Sequence, residues 1–280
     1  MEEFKKKFEK AKTFFADEGF IIEDERLKSI LAAIEMRYPV LAVGPTGSGK
    51  TLFFMLLAKW LGGNYEYQSL NGALAIEDLT QMRILGKDGV FGEQDMILAR
   101  WLRAAEKGAS VLQLDEVNAA KPETLLSLHP IMDLKGELYL PYSEERLKVT
   151  NNAYLVMSCN EGDEYAGINA LNMAFQNRYI KVHFPFIKGE VLVNHLKSKC
   201  SIDDEAAKGI VRVWEKFMSS RTLDQPIVSI RVLERWAELS KLIGLRAAGM
   251  TTFVSLVAED EDEIEEYVHG DLFINLSGEK

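Results

Sequence analysis

The chain has 280 residues, 47% of them hydrophobic and 27% charged, with a net charge of -10. This composition excludes disordered and fibrous classes, and the length suits one large domain or a domain with a smaller appendage. The acidic balance disfavours a surface built mainly to hold nucleic acid, no run approaches the ~20 apolar residues of a membrane span, and the start MEEFKKKFEK lacks a secretory apolar core, so a cytoplasmic protein without membrane contact is expected.

Phe4, Phe8, Phe14 and Phe15 recur among lysines near a helical period, which predicts an amphipathic N-terminal helix. Asp24 to Arg37 predicts a second helix, with Leu27, Ile30, Leu31 and Ile34 on one face and Asp24 as its N-cap. Strand and helix patterns then alternate. The expected strands are Val40–Val43, Tyr65–Leu70, Ser110–Leu114, Ala153–Ser158 and Tyr179–Phe184; the expected helices are Gly49–Leu61, Gln94–Lys107, Pro122–Met132 and Asn169–Gln176. Such alternation predicts an α/β fold with a parallel five-stranded sheet covered on both faces. Glu137–Leu140 and Arg146–Val149, around the turn Pro141-Tyr142-Ser143, predict a hairpin inserted before the fourth strand. After Pro185 the patterns are helical only, at Gly189–Lys199, Asp203–Ser219, Ile230–Leu245 and Thr251–Ala258, which sets an expected boundary near 186 between a core (1–186) and a small all-helical domain (187–280). The acidic block Glu259 to Glu263, followed by Glu265 and Glu266, reads as a solvated segment. Cys159 and Cys200 form no CxxC and have no adjacent His, so neither a disulfide framework nor a zinc site is expected.

The run Gly44-Pro45-Thr46-Gly47-Ser48-Gly49-Lys50-Thr51 fills every fixed position of the phosphate-loop pattern GxxxxGK[ST], between a strand-like and a helix-like segment. A backbone wrapped there aims N–H groups at an anion on a helix N-terminus. Lys50 is placed to reach the β- and γ-phosphates, and the Thr51 hydroxyl to ligate Mg²⁺. The matching half-site is Val111-Leu112-Gln113-Leu114-Asp115-Glu116, a mostly apolar strand that delivers two carboxylates to the C-terminal edge of the sheet, where open α/β folds bind ligands. Asp115 is the expected Mg²⁺ residue, through water, and Glu116 is expected to accept a proton from the attacking water or to orient it. Gln113 departs from an apolar strand and is expected to face the covering helices with its amide bonded. Asn160, after the next strand, has two readings: an amide that bonds the γ-phosphate and the lytic water, or a local turn residue.

Together the phosphate loop, Asp115-Glu116-Val117-Asn118, Asn160 and the segment Gly167-Ile168-Asn169-Ala170-Leu171-Asn172-Met173-Ala174-Phe175-Gln176-Asn177-Arg178-Tyr179 resemble the MoxR branch of the AAA+ ATPases, nearest to CbbQ/NorQ-type and GvpN-type members. The resemblance runs from about residue 20 to 240. It implies an AAA+ core and a helical lid, with Asn160 as sensor 1 and Arg178 as an arginine finger given to a neighbouring subunit. It also implies Arg231, in Ser229-Ile230-Arg231, as the sensor-2 arginine. Ordinary salt-bridging roles for Arg178 and Arg231 stand beside these. The inserted hairpin corresponds to a pre-sensor-1 hairpin, and Leu79 to Phe91 to an insertion able to reach a central pore. Tyr179, Glu161 and Ala119 depart from the family's usual Phe, Pro and Arg.

The implied activity is Mg²⁺-dependent ATP hydrolysis by a hexameric ring that remodels or activates a client protein, often with a von Willebrand factor A domain partner. The competing expectation is a nucleic-acid-directed motor, such as a helicase loader, a viral accessory ATPase or a McrB-type NTPase, which the same core also serves.

Overall fold

Apolar residues occupy successive positions of the central strands, the pattern of a sheet buried on both faces. The computed structural model describes residues 1–85, 89–133, 136–160, 173–222 and 225–258. In chain order, α1 (Glu2–Asp17) and α2 (Asp24–Glu35) precede β1 (Val40–Val43), α3 (Lys50–Trp60) and β2 (Asn64–Ser69). A short α4 (Glu77–Thr80) leads into β3 (Gln81–Leu85) and β4 (Phe91–Asp95), followed by α5 (Ile97–Lys107) and β5 (Ser110–Asp115). Next come α6 (Pro122–Ser127), α7 (His129–Met132), β6 (Glu137–Leu140), β7 (Glu145–Lys148), β8 (Ala153–Cys159), α8 (Met173–Gln176) and β9 (Ile180–His183).

The main sheet has the order β2-β5-β8-β1-β9, and all its pairings are parallel. Alternate residues part to its two faces. Val40, Ala42, Val111 and Val156 pack with Phe8, Phe15, Ile30 and Phe53 of the first three helices. Leu41, Leu112, Leu114 and Met157 pack with Trp101, Leu102 and Leu125 on the other. Phe53 and Trp101 are fully buried, and truncating either to Ala would cost about 3–5 kcal/mol.

The described residues divide into two compact units, one taking Met1–Gly44 and Gly49 to Phe184, the other Pro45–Ser48 and the chain from Pro185 on. The second contains α9 (Gly189–Cys200), α10 (Asp204–Ser220), α11 (Ile230–Ile243) and α12 (Leu245–Gly249), which continues through a π turn, Met250–Val254. Its core gathers Leu196, Trp214, Phe217, Trp236 and Phe253. Both indoles satisfy their N–H internally, Trp214 on the Val228 carbonyl and Trp236 on that of Leu245.

Several expected elements are corrected. Asp24 is the first residue of α2 and not its cap, its carboxylate pairing with Lys12; Glu23 holds the N-cap position without a side-chain cap bond, its own carboxylate pairing with Arg26. Gln94 and Asp95 belong to β4, and α5 begins at Ile97. The helix expected over Pro122–Met132 is two short ones, the second carrying Pro130, which has no N–H for a continuous ladder. Gly244, at φ 83°, ends α11 before Leu245, and helix resumes there and not at Thr251. Within and beyond the expected insertion Leu79–Phe91, β3 and β4 pair antiparallel, Gln81 with Asp95 through Leu85 with Phe91. The 137–148 hairpin is present as expected. The first half of the helix expected over Asn169–Gln176, residues 169–172, and the acidic block lie outside the described residues, and the second half is α8. Among the described residues, no helix is long and apolar enough to cross a membrane.

Candidate functional site

The phosphate loop leaves β1 and ends on α3. Gly47 and Gly49 take left-handed backbone, φ 82° and 89°, which a β-carbon would strain. A Cβ at Gly49 would also stand 3.2 Å from the Phe20 ring. Ser48 donates its N–H to the Pro45 carbonyl at 3.3 Å, closing the turn. Its hydroxyl is buried and has no hydrogen-bond partner among the described residues, a cost an oxyanion in the loop would relieve. Gly44, Pro45 and Thr46 lead into this turn, and Thr51 occupies the first turn of α3.

Lys50, at the start of α3, is only 6% exposed. Its ammonium donates to the Gly44 carbonyl at 2.7 Å and to Asn160 Oδ1 at 3.1 Å. Asn160 follows β8, whose neighbours in the sheet are β1 and β5, so the phosphate-loop lysine and the expected sensor amide meet across the strand ends. Asn118 Nδ2 holds the Asn160 carbonyl at 3.0 Å.

Asp115 closes β5 and is the most heavily bonded acid at this edge. Its Oδ1 accepts the Ser158 hydroxyl at 2.6 Å and the Glu116 N–H at 3.0 Å; its Oδ2 accepts the Tyr67 hydroxyl at 3.0 Å. Glu116 has left-handed backbone, φ 54° and ψ 41°, which turns the chain off the strand into a 3₁₀ turn, Val117–Ala119. The Glu116 side chain is exposed, and its Oε2 accepts the Ser69 hydroxyl at 3.0 Å. Gln113 is fully buried on the face of the first three helices, as expected, but its amide bonds neighbouring strands: Oε1 accepts from Tyr65 at 2.7 Å and Nε2 donates to Ser158 at 2.9 Å. Burial, then the Tyr67 and Asp115 charges, push the Tyr65 phenol well above the ordinary tyrosine range, so it remains a donor.

Arg178 follows α8. Its Nε donates to Asp133 at 3.2 Å and a guanidinium N–H to the Ala174 carbonyl at 2.7 Å. His129 lies nearby, its pKa lowered first by burial and then by the Arg178 charge. Arg231 is exposed on the first turn of α11, where it lines an open cleft of about 440 Å³ with Lys199, Cys200, Glu234, Arg235 and Glu238. The sequence reading missed Tyr65, Tyr67, Ser69 and Ser158. Tyr67 and Ser69 alternate along β2, a signal available only once the partner strand is known.

Among the described residues, no group of three or more His, Cys, Asp or Glu side chains is placed to hold a metal alone. Mg²⁺ uses one or two protein ligands together with phosphates and water, and Thr51 with Asp115 is a donor set of that kind. The residues therefore fit Mg²⁺ carried by a nucleotide.

Residues 39–179 match the model of the AAA domain (dynein-related subfamily). Uncharacterised proteins of Staphylococcus aureus are similar. That of strain NCTC 8325 is 28% identical over 238 residues, covering 83% of this chain and 89% of its own. That of the bovine strain RF122 is 29% identical over 237 residues, with the same coverage. Among solved structures, one described as a "putative ATPase" from Cytophaga hutchinsonii superposes with a TM-score of 0.55 at 17% identity, over 95% of this chain and 87% of that one. This likeness supports the fold: a five-stranded parallel α/β sheet with helical segments after it.

Proposed function

The chain belongs to the AAA domains of the dynein-related subfamily, a family of ATPases, and from that premise we propose a ring-forming, Mg²⁺-dependent ATPase that remodels or activates a client protein in the manner of the MoxR branch. In this reading the chain is of the CbbQ/NorQ or GvpN type, with 1–186 as its core and 187–280 as its lid. The observation that carries it is the meeting of Lys50 with Asn160 at the sheet edge that also presents Asp115 and Glu116.

In this mechanism the loop from Gly44 to Thr51 binds the phosphates, and Lys50 offsets charge at the β- and γ-positions. Thr51 and, through water, Asp115 would hold Mg²⁺, which would supply charge neutralisation on the phosphates. Glu116 accepts the proton of the attacking water, and Asn160 orients that water. Arg178 of one subunit completes the neighbour's site, and a finger supplied in trans makes a ring, a hexamer by family resemblance, the active form. Arg231 acts as sensor 2. A von Willebrand factor A domain protein is the partner class, with the cytoplasm as the compartment.

Glu116→Gln tests the chemistry: it should bind ATP and stall before hydrolysis in a phosphate-release assay, and wild-type turnover would remove Glu116 from its role. The client class is tested by turnover with and without DNA and RNA at two salt concentrations. No stimulation is expected from a chain of net charge -10. Strong stimulation that fades with salt would replace the client-remodelling reading with a nucleic-acid motor.

A further inference from the structure

Three buried or half-buried polar side chains behind Asp115 form a chain with a fixed direction. As a carboxylate, Asp115 can only accept, so the proton between it and Ser158 belongs to the Ser158 hydroxyl. That hydroxyl has no second proton, so its contact with Gln113 must be accepted from the amide Nε2. The amide orientation then follows: Oε1 faces Tyr65, which must donate. Each link is set by the one before it, starting from the acid. Gln113 and Ser158 are both fully buried, where an unpaired polar group is costly and a paired one is held firmly.

The links come from three strands. Tyr65 lies on β2, Gln113 on β5 and Ser158 on β8, adjacent in the order β2-β5-β8. Gln113 stands opposite Tyr67 and Val156 in the two registers, so it reaches Tyr65 and Ser158 diagonally on the same face. An apolar residue at 113 would serve the core better by transfer energy. The amide there has a different use.

We infer that Tyr65, Gln113 and Ser158 are positioning residues that fix the rotamer of Asp115 and leave its remaining lone pairs aimed at the hydrated metal of the nucleotide. The inference rests on the proposed role of Asp115 toward Mg²⁺ and extends it to residues outside the motif. Ser158 sets the carboxylate directly; Gln113 acts through Ser158, and Tyr65 through Gln113.

The test reads metal affinity without turnover. Mn²⁺ is titrated by electron paramagnetic resonance into the full-length protein carrying a non-hydrolysable ATP analogue, and analogue affinity is measured separately in EDTA. Partners that orient metal-binding groups contribute about 10–100-fold to metal affinity or activity. Ser158→Ala should weaken Mn²⁺ binding by about ten-fold or more while leaving metal-free nucleotide affinity and the thermal melt near wild type. Ser158→Thr, which keeps the hydroxyl, should restore it. Gln113→Leu should lose affinity in the same direction and by less, and Tyr65→Phe least. A purely structural role would lower the melting temperature and spare the Mn²⁺ affinity of the folded protein.

Asp115→Asn separates the two ideas. If it weakens Mn²⁺ binding and Ser158→Ala does not, the positioning chain is overturned and the role of Asp115 stands. If Asp115→Asn leaves Mn²⁺ binding unchanged, the metal role itself fails and the inference with it. Should Ser158→Ala not fold, Gln113→Leu decides the matter on the same readout, and unchanged Mn²⁺ affinity there overturns the inference.

Discussion

Asp115 and Arg178 are both polar residues at or just beyond strand and helix ends, yet they are held in opposite ways. Asp115 takes three hydrogen bonds, two from hydroxyls on β2 and β8 whose own positions the sheet fixes and one from the N–H of Glu116 just after β5. Arg178 leans on Asp133, whose side chain is 59% exposed, and on a carbonyl four residues back. A solvent-exposed ion pair of this kind contributes about 0–1 kcal/mol. The first arrangement is preset by the scaffold; the second can be exchanged for another partner at little cost. A group that must meet a hydrated cation benefits from a fixed rotamer, whereas a group proposed to serve a neighbouring subunit must be able to leave its own chain.

Breaking the fixed half should have the larger consequences. Lys50→Ala removes the buried cation of the phosphate loop and is expected to abolish binding of a fluorescent ATP analogue; unchanged affinity would mean that the loop is not the site. Arg178→Ala is expected to spare nucleotide binding by an isolated subunit and to lower turnover by roughly 10³ to 10⁵. Mixing it with Glu116→Gln should restore part of the activity, since some interfaces then pair an intact Glu116 with an intact Arg178. A mixture that forms mixed rings and stays inactive would confine Arg178 to its own chain.

Smaller effects sharpen the exchangeable half. Asp133→Asn releases Arg178 from its exposed partner, and turnover should change by no more than about five-fold, in line with the small free energy of such a pair. A loss near that of Arg178→Ala would show the pair itself to be required. His129 reports where Arg178 resides. In Arg178→Ala, an NMR titration should find the His129 pKa higher than in wild type and still below the ordinary histidine value, because burial, the larger of the two causes that lower it, also outweighs the Asp133 charge that raises it. Since the folded-state value lies below the unfolded one, this residue's contribution to stability is present above the ordinary histidine range and declines as pH falls through it. An unmoved His129 would place the guanidinium elsewhere for most of the time.

What could be read from the sequence divides along similar lines. The phosphate loop is eight consecutive residues, so its chemistry is legible without any fold; the three central strands show as apolar runs, and the edge strands β2 and β9 as alternation of apolar or aromatic with polar residues. Gln113 looked like a flaw in one of those strands because its partners lie 48 and 45 residues away on separate strands. The hairpin β3–β4 was missed for another reason: four of the five residues of β3 are exposed, so no alternation of buried and exposed positions betrays it. The break at Pro130 is masked in the sequence by the apolar residues on either side, Leu128 at the junction and Ile131 on α7, both of them buried.

The left-handed backbone of Glu116 bears on how this protein would respond to selection. A residue with a β-carbon in that conformation carries about 1–2 kcal/mol of local strain that glycine would relieve. A library randomised at position 116 and sorted by thermal tolerance alone should therefore enrich Gly, while the same library sorted by phosphate release should return Glu. With Glu116 in its proposed role, stability and turnover compete at a single φ angle, and a thermostabilised variant of this chain would need position 116 held constant to keep its turnover.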